Sequence, residues 1–306
     1  MVAQARTTEE AGGRVVAISW LLLSSGLVAF LPITAKLAYL GGSEPYTLLA
    51  LRSVIAVALL GLALLIARRV PRLPRRLLPT SFLAGAGAAG FLYGFYNAIV
   101  TIDIGLAMLI TYLYPILLAS IEHATGRTPF TSFRLFWSLA ALTGLGIMLA
   151  ADLTNLDPAG LAFAFFGMLS ITVATLAGMR LVWDIGVLEA NFHATLWSVP
   201  LFLSALFLFG SVQLPQTGIG WLGVLGNAIA ATTAWICFIL GAKIIGTGRA
   251  AMITTVEPLF AVLMASLFFG EHLAPLQWFG LALVLLALAA LESPKRWRER
   301  SRHKTS

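Results

Sequence analysis

Two eleven-residue stretches, GLAMLITYLYP at 105–115 and GRAAMITTVEP at 248–258, decide how the rest of the chain is interpreted. Both have glycine, alanine, isoleucine, threonine and proline at the same spacing, so five of the eleven positions are identical. Apolar sequence yields chance matches, but a matched threonine and proline together are rare. The stretches therefore indicate an internal repeat, which is the strongest organising feature of this chain.

The composition excludes a soluble domain. Of the 306 residues, 59% are apolar and 11% are charged, whereas a soluble domain has about 45–50% apolar and about 25% charged residues. The net charge of +7 would suggest a nucleic-acid partner in a soluble protein, but the basic residues lie in short loops and in the C-terminal tail. Cys237 is the one cysteine, so a disulfide scaffold is excluded too. These numbers indicate an integral membrane protein, with the lipid bilayer and no nucleic acid as its partner.

Apolar runs long enough to cross about 30 Å of hydrocarbon recur along the chain between polar breaks. Ten such runs are predicted, at 15–35, 46–67, 78–100, 105–124, 133–151, 158–178, 192–210, 219–242, 248–269 and 275–291. The predicted fold class is therefore all-α integral membrane, with ten transmembrane helices.

The repeated stretches fall in the fourth and the ninth span, which divides the chain into two halves of five spans each. An odd number of crossings turns the second half upside down relative to the first, as in the inverted repeats of secondary transporters. The predicted organisation is a cytoplasmic N-terminus at 1–14, a first five-helix repeat at 15–151, a second at 158–291 and a basic cytoplasmic tail at 292–306.

Lysine and arginine indicate the orientation, because cytoplasmic loops of membrane proteins contain an excess of both. With the N-terminus inside, eighteen of the twenty basic residues fall on the cytoplasmic side, while Lys36 falls outside and Arg52 lies within the second span. A missed or added span would exchange the sides of every later loop, so this one-sided distribution also favours ten spans. Both termini are predicted to be cytoplasmic.

Pro115 and Pro258 lie ten or eleven residues into their spans, about 15–16 Å at 1.5 Å per residue and so near the middle of the bilayer. Each proline lacks an N–H and frees the carbonyl four residues earlier, which belongs to Thr111 or Thr254. Free carbonyls at that depth must be buried in protein or line a wet cavity. The pair favours a shared central cavity, and a kink that only shapes helix packing is the alternative.

Two charged residues lie well inside the predicted spans, away from the span ends. Glu257 is near mid-membrane, and Arg52 is about 9 Å from the outer end of its span. A central charge costs about 2.5–3.5 kcal/mol, so each should face the bundle and have a partner. Glu257 is predicted to contact substrate or a proton, or else to form a structural ion pair or a hydrogen-bonded carboxylic acid. Arg52 is predicted to line the cavity. The alternatives are that its side chain snorkels to the outer interface or forms a structural ion pair.

Aromatic and polar side chains cluster on the third and fourth spans, and tryptophans lie on the seventh and eighth, the latter also carrying Asn227. Such side chains suit a cavity for a ligand with an apolar body and polar ends, although each alone is also typical of packing or of an interface anchor. The predicted cavity residues are Arg52, Tyr93, Tyr96, Asn97, Thr111, Tyr112, Tyr114, Trp197, Trp235, Thr254 and Glu257, with Pro115 and Pro258 as helix breaks.

Together these features resemble the EamA-type members of the drug/metabolite transporter superfamily. The resemblance covers about 15–291 and rests on the two five-helix halves, the two prolines, the early arginine of the second helix and Gly270-Glu271 closing the ninth. The first half departs from the pattern, with Gly126-Arg127 where the second has Gly270-Glu271. The resemblance implies bacterial inner-membrane exporters of amino acids, aromatic ones among them, and of other small metabolites, with a cavity reached alternately from either side.

We therefore expect an exporter of a small amphiphilic metabolite, with an amino acid as the expected small-molecule substrate, that works by alternating access in the bacterial inner membrane. No catalytic residue, metal site or cofactor is predicted. An exporter of cationic drugs or other metabolites with the same fold is one alternative, and an intramembrane enzyme, a channel or a membrane scaffold are the others. The sequence does not determine the oligomeric state, and a homo-oligomer is compatible with it.

The one-sided charge distribution gives the first testable prediction. A reporter fused after Ser306 should be active only in a cytoplasmic format, and a cysteine placed at Asp152 should react with an impermeant reagent only from outside. The basic residues keep the loops that contain them in the cytoplasm. This places the C-terminus inside and the loop with Asp152 outside. Reversed accessibility at either position would contradict the topology.

Overall fold

The computed structural model describes residues 2–102, 104–126, 131–149, 156–260, 264 and 274–291, and all regular structure in these ranges is helical. The helices are α1 (Val2–Ala29), α2 (Leu31–Leu40), α3 (Pro45–Ile66), α4 (Leu78–Thr101), α5 (Ile104–Thr111), α6 (Tyr114–Ala124), α7 (Ser132–Met148), α8 (Pro158–Ile185), α9 (Val187–Phe209), α10 (Gly218–Ile245), α11 (Thr247–Ile253) and α12 (Pro275–Leu291), with 3₁₀ turns at Arg75–Leu77 and Thr254–Val256.

Seven helical segments in these ranges are long and apolar enough to cross a membrane. They are Gly12–Leu40, Pro45–Ile66, Arg75–Thr101, Leu106–Ala124, Pro158–Ile185, Val187–Phe209 and Gly218–Ile245. Two shorter apolar helices, Ser132–Met148 and Pro275–Leu288, coincide with the predicted fifth and tenth spans. The prediction of an all-α membrane protein is confirmed, and the count of ten spans stays a prediction.

Several sequence features lie outside the described residues. They are most of the predicted ninth span beyond 260, Arg127, Asp152, Gly270-Glu271 and the basic tail at 292–306.

The predicted limits of three spans differ from the ends of the helices that contain them. The first span was expected to begin at 15, but α1 begins at Val2. The sixth was expected to end at 178, but α8 continues to Ile185 and the chain reverses only at Gly186. The seventh was expected to begin at 192, but α9 begins at Val187. Hydropathy falls where polar residues start, whereas a helix continues through charged residues until a backbone signal stops it.

Two glycines make the sharp reversals that join helices in the second half. Gly186 has φ 94° between α8 and α9, and Gly246 has φ 92° between α10 and α11. These left-handed φ values are accessible to glycine without the steric penalty that a Cβ atom brings. Each glycine is therefore at once the end of one helix and the beginning of the next, which keeps the paired helices adjacent.

Packing occurs mainly between the two halves of the chain rather than within each half. The most extensive contacts join α4 with α8, α7 with α12, α1 with α10, α2 with α10 and α3 with α9. In each of these pairs one helix precedes residue 150 and the other follows residue 157. The two halves are therefore interleaved into one bundle rather than folded as separate units.

Small residues allow the closest of these helix contacts. A Cβ atom on Gly94 of α4 would lie 2.7 Å from backbone atoms of Phe163 and Gly167 on α8. On the other side of the bundle, Gly144 of α7 and Gly280 of α12 contact each other's helix in the same way. Within a bilayer, association of helices depends on van der Waals contact of this kind, because lipid chains are as apolar as leucine.

The outward-facing surface is apolar, as a lipid-exposed surface must be. On α3, Val54, Leu62 and Leu65 are exposed, whereas Leu60 and Leu64 on the opposite face are buried.

At the start of α8, outside the span, Asp157 caps the helix by accepting a hydrogen bond from the Gly160 amide at 2.8 Å. That bond holds the pKa of the partly exposed Asp157 carboxyl below its usual range.

The α4–α8 contact yields a stability prediction. Gly94→Ala should push α8 away from α4 and lower the melting temperature of the detergent-solubilised protein, since overpacking costs about 1–3 kcal/mol. Gly26→Ala on α1 is the matched control, because a Cβ atom there meets nothing within 4 Å. The close approach would be refuted if both variants melted at the temperature of the parent.

Candidate functional site

The helices are interrupted next to both repeated prolines. In the first half α5 ends at Thr111 and α6 begins at Tyr114, with Pro115 in its first turn. In the second half α11 ends at Ile253, a 3₁₀ turn follows, and helical residues resume at Glu257 and Pro258. A third interruption separates α1 from α2 at Phe30, and there Pro32 lies in the first turn of α2.

The two repeated breaks face each other across the halves. Helices α6 and α11 pack antiparallel, and the Tyr114 hydroxyl lies 3.5 Å from Thr254 Oγ1 at one end of this contact. At the other end the Gly248 N–H donates to Glu122 Oε1 at 2.9 Å. The Glu122 carboxylate is buried, so it satisfies an amide of the first helical turn where no intrahelical acceptor exists. These bonds hold the two breaks together at both ends of α6.

Glu257 lies at this junction. Its carboxylate is close enough to the Tyr112 and Tyr114 hydroxyls to interact electrostatically with both. Tyr112 is buried, and Glu257 is partly buried. The acid of the second half is therefore surrounded by phenol groups from the first half.

Among the described residues, the cavity beside the breaks is small in this conformation. A cavity of about 10 Å³ is lined by Tyr112, Pro115, Met252 and Thr255 among others, and a space of that size holds about one water molecule. A larger groove of about 290 Å³ runs between α5 and α7, with Leu109, Leu113 and Leu139 on its walls. A metabolite would need the helices at the breaks to separate.

A second polar cluster lies around Arg52. Arg52 Nη1 donates to Asn227 Oδ1 at 3.2 Å, and Asn227 Nδ2 donates to the Leu31 carbonyl at 3.1 Å and to Thr34 Oγ1 at 3.0 Å. The hydroxyls of Tyr39 and Tyr96 interact with the guanidinium electrostatically. Helices α2, α3, α4 and α10 therefore meet at one cationic side chain.

The remaining predicted cavity residues lie in other surroundings. The Tyr93 ring contacts Phe163 and Phe209, and Asn97 Nδ2 donates to the Tyr93 carbonyl at 2.8 Å on the same helix. The structure thus brings Thr254, Glu257, Tyr112 and Tyr114 together and places Tyr96 beside Arg52. Thr111 Oγ1 bonds the Ala107 carbonyl of its own helix.

The two predicted tryptophans lie in aromatic contacts. Trp197 meets the edge of Phe82, with ring centroids 5.5 Å apart. Trp235 stacks on Phe238 with centroids 5.3 Å apart. The sequence analysis predicted both as cavity residues, and in the structure each packs against another aromatic ring.

Sequence reasoning did not select Glu122, Tyr39 or the break at Pro32. A proline in the middle of the first apolar run was the available signal for that break. Glu122 is next to His123 near a predicted helix end, so nothing local distinguishes it from a solvated interfacial acid. Its partner, the Gly248 amide, is 126 positions away.

A further contact joins the halves where α8 reverses into α9. Arg69 Nη1 lies 3.5 Å from Glu189 Oε1, and His193 Nε2 donates to the Pro71 carbonyl at 3.2 Å. The segment between α3 and α4 is thereby attached to the first turns of α9. Like the Glu122 contact, this one connects an acid to the other half of the chain.

Comparison with known proteins gives consistent results. The profile of the EamA-like transporter family matches residues 158–292. An uncharacterized transporter of Bacillus subtilis (strain 168), YcbK, is 28% identical over 308 residues, covering 95% of this chain and 96% of that protein. A solved structure titled only "Crystal structure of protein" superimposes with a TM-score of 0.77 and 20% identity, covering 94% of this chain and 99% of that one.

The solved structure, at that identity, supports the fold alone. The family match and the near full-length similarity to a transporter support the same assignment that the repeated prolines suggested. The second half of the chain thus matches the EamA-like transporter family, and nearly the whole chain is similar to an uncharacterized transporter.

Proposed function

We propose that this membrane transporter exports a small amphiphilic metabolite, an amino acid, by alternating access across the bacterial inner membrane with both termini in the cytoplasm. The observation that carries the proposal is Glu257, a carboxylate at a helix break that two tyrosines of the other half surround. The match of the second half to the EamA-like transporter family and the similarity to a transporter over nearly the whole chain support a transporter rather than an enzyme. The substrate, the direction and the membrane are the proposed part.

The architecture proposed is ten spans in two inverted five-helix repeats. Two features support it. The repeated prolines interrupt helices in both halves. Helix α6, which follows the first break, packs antiparallel on α11, which precedes the second, as two broken helices of oppositely oriented repeats lying side by side would. In transporters of this plan the substrate binds between the repeats near the bilayer midplane, at interrupted helices.

The chemistry at the junction suits one end of an amino acid. The ammonium group of the substrate can form an ion pair with the Glu257 carboxylate. The Tyr112 and Tyr114 rings offer apolar faces against which the substrate side chain can pack. Because the cavity there is only about 10 Å³, the conformation described is closed around this point. In the proposed cycle the breaks separate toward one side of the membrane and then toward the other.

Proton exchange is a second role that Glu257 itself could perform, since its carboxyl group can bind and release a proton as the cavity alternates. Both roles use the carboxylate oxygens of Glu257. They predict different transport behaviour for a variant whose side chain can no longer bind and release a proton. The substitution of glutamate by glutamine keeps the size and the hydrogen bonding of the side chain but fixes it in a neutral state.

Glu257→Gln in proteoliposomes is therefore the test of the proposed function. If the carboxylate binds a substrate ammonium, exchange of labelled for unlabelled amino acid should weaken tenfold or more, since a hydrogen bond to a charged group contributes about 1.5–3 kcal/mol. If it only couples protons, exchange should persist while accumulation driven by a pH gradient disappears.

Asp184→Asn is the matched control, because Asp184 is exposed near the end of α8. The control should exchange substrate at the rate of the parent. Parental behaviour of Glu257→Gln at every pH would show that Glu257 is structural. Absence of exchange in the parent with any member of an amino-acid panel would refute the proposed substrate.

The helix breaks give a separate prediction. Pro115→Ala and Pro258→Ala each supply an N–H to the carbonyl of Thr111 or Thr254, so the helices should become more continuous, membrane insertion should persist and exchange should fall. Pro200→Ala is the control, because Pro200 lies inside the uninterrupted helix α9. Full exchange in both break variants would mean that the kinks only shape packing.

A further inference from the structure

The Arg52 side chain belongs to the interior of the bundle. Residues one turn before and after it on α3, Leu48 and Ala56, are buried, whereas the exposed positions Val54 and Leu62 lie on the opposite face. Arg52 itself is only partly buried, so the space that reaches it is on the inner side of the helix. This favours an interior polar space over the snorkelling alternative.

The residues of the Arg52 cluster lie at similar depths in the membrane on the three helices that carry them. Counting 1.5 Å per residue from the helix ends on that side, Arg52 is roughly 10 Å from Pro45 and Asn227 is roughly 14 Å from Gly218. Leu31 lies roughly 14 Å from Leu40 by the same rise. The cluster is therefore next to the break between α1 and α2, near the middle of the membrane.

Asn227 fixes the guanidinium in one orientation. Its two amide hydrogens are taken by Leu31 O and Thr34 Oγ1, and its oxygen accepts from Arg52. Exchanging the oxygen and nitrogen of this amide would place its donors against those of Arg52, so the hydrogen-bond network selects this arrangement. Asn227 is thus a positioning residue for the cation, acting through its link to α2.

The cation has no acidic partner within the described residues. Arg52 makes one hydrogen bond to a described residue although a guanidinium has five N–H donors, and the groups that influence it electrostatically are the phenols of Tyr39 and Tyr96. None of its other nitrogens is among the fully buried atoms that lack a partner, so those donors face accessible space. An unneutralised charge at this depth is costly and typical of a functional site.

We propose that Arg52, oriented by Asn227, is the anion subsite of the transport pathway and binds the carboxylate of the substrate. The proposal rests on the proposed function and specifies its substrate class. The planar guanidinium fork matches the two oxygens of a carboxylate, and the Tyr39 and Tyr96 hydroxyls can donate to the same group. One positive charge suits a monoanion, and Glu257 supplies the opposite charge for an ammonium.

Substrate analogues separate the two ends of the ligand. The probes are L-phenylalanine, its methyl ester, which lacks the carboxylate, and 3-phenylpropionate, which lacks the ammonium. The full-length protein is assayed by counterflow in liposomes, and its melting temperature in detergent is measured with each probe. The variants are Arg52→Gln, Arg52→Lys and Asn227→Ala, with Arg75→Gln as the control because Arg75 is exposed in the segment between α3 and α4.

We expect Arg52→Gln to weaken the apparent affinity for L-phenylalanine tenfold or more and to leave that for the methyl ester within twofold. Arg52→Lys keeps the charge but loses the fork and should fall between parent and Arg52→Gln, as should Asn227→Ala. 3-Phenylpropionate should raise the melting temperature of the parent and of Arg75→Gln but not of Arg52→Gln.

Three outcomes would overturn the proposal. The first is equal loss for phenylalanine and its ester in Arg52→Gln, which would indicate a structural role. The second is a melting shift with 3-phenylpropionate that survives in that variant or is absent in the parent. The third is an equal shift with chloride, which would indicate an inorganic anion site. If the parent exchanged no amino acid but the Arg52-dependent shift remained, the anion subsite would stand and the proposed amino-acid substrate would fail.

Discussion

Hydrocarbon offers no hydrogen-bond partners, so a helix can be interrupted inside a membrane only where protein or enclosed water takes over its free backbone groups. In this protein the two interrupted helices of the repeat are placed against each other. Tyr114 meets Thr254 at the breaks, and Glu122 receives the Gly248 amide at the end of the same contact. The rest of the bundle is arranged around this junction.

Interleaving of the halves follows from the same constraint. Because α4 packs on α8, α7 on α12 and α1 on α10, neither half can bury its inner face alone. The closest contacts use glycines whose backbones touch, such as Gly144 and Gly280, and these leave little room for rearrangement. At the breaks the halves meet through a few polar contacts instead, and we expect the movement of the proposed cycle to occur there.

The two intramembrane charges occupy separate clusters, each next to a helix break. Glu257 lies among phenols of the first half, and Arg52 is held through Asn227 to the break between α1 and α2. A buried acid and a buried base that directly paired would neutralise each other and leave nothing for a ligand. Separated in this way, they are complementary to a zwitterion with an apolar body, which is the substrate class proposed above.

The sequence by itself determined the membrane class, most helix limits and the positions of the two repeated breaks, because hydropathy and the missing proline N–H act locally. It also identified Glu257 and Arg52 as charges that need an interior environment. Only the tertiary structure decided which groups meet them: Asn227 reaches Arg52 across 175 positions, and the Tyr112 hydroxyl interacts electrostatically with Glu257. Such partners depend on how helices rotate and cross, and the apolar periodicity of a nearly uniform membrane span does not encode that.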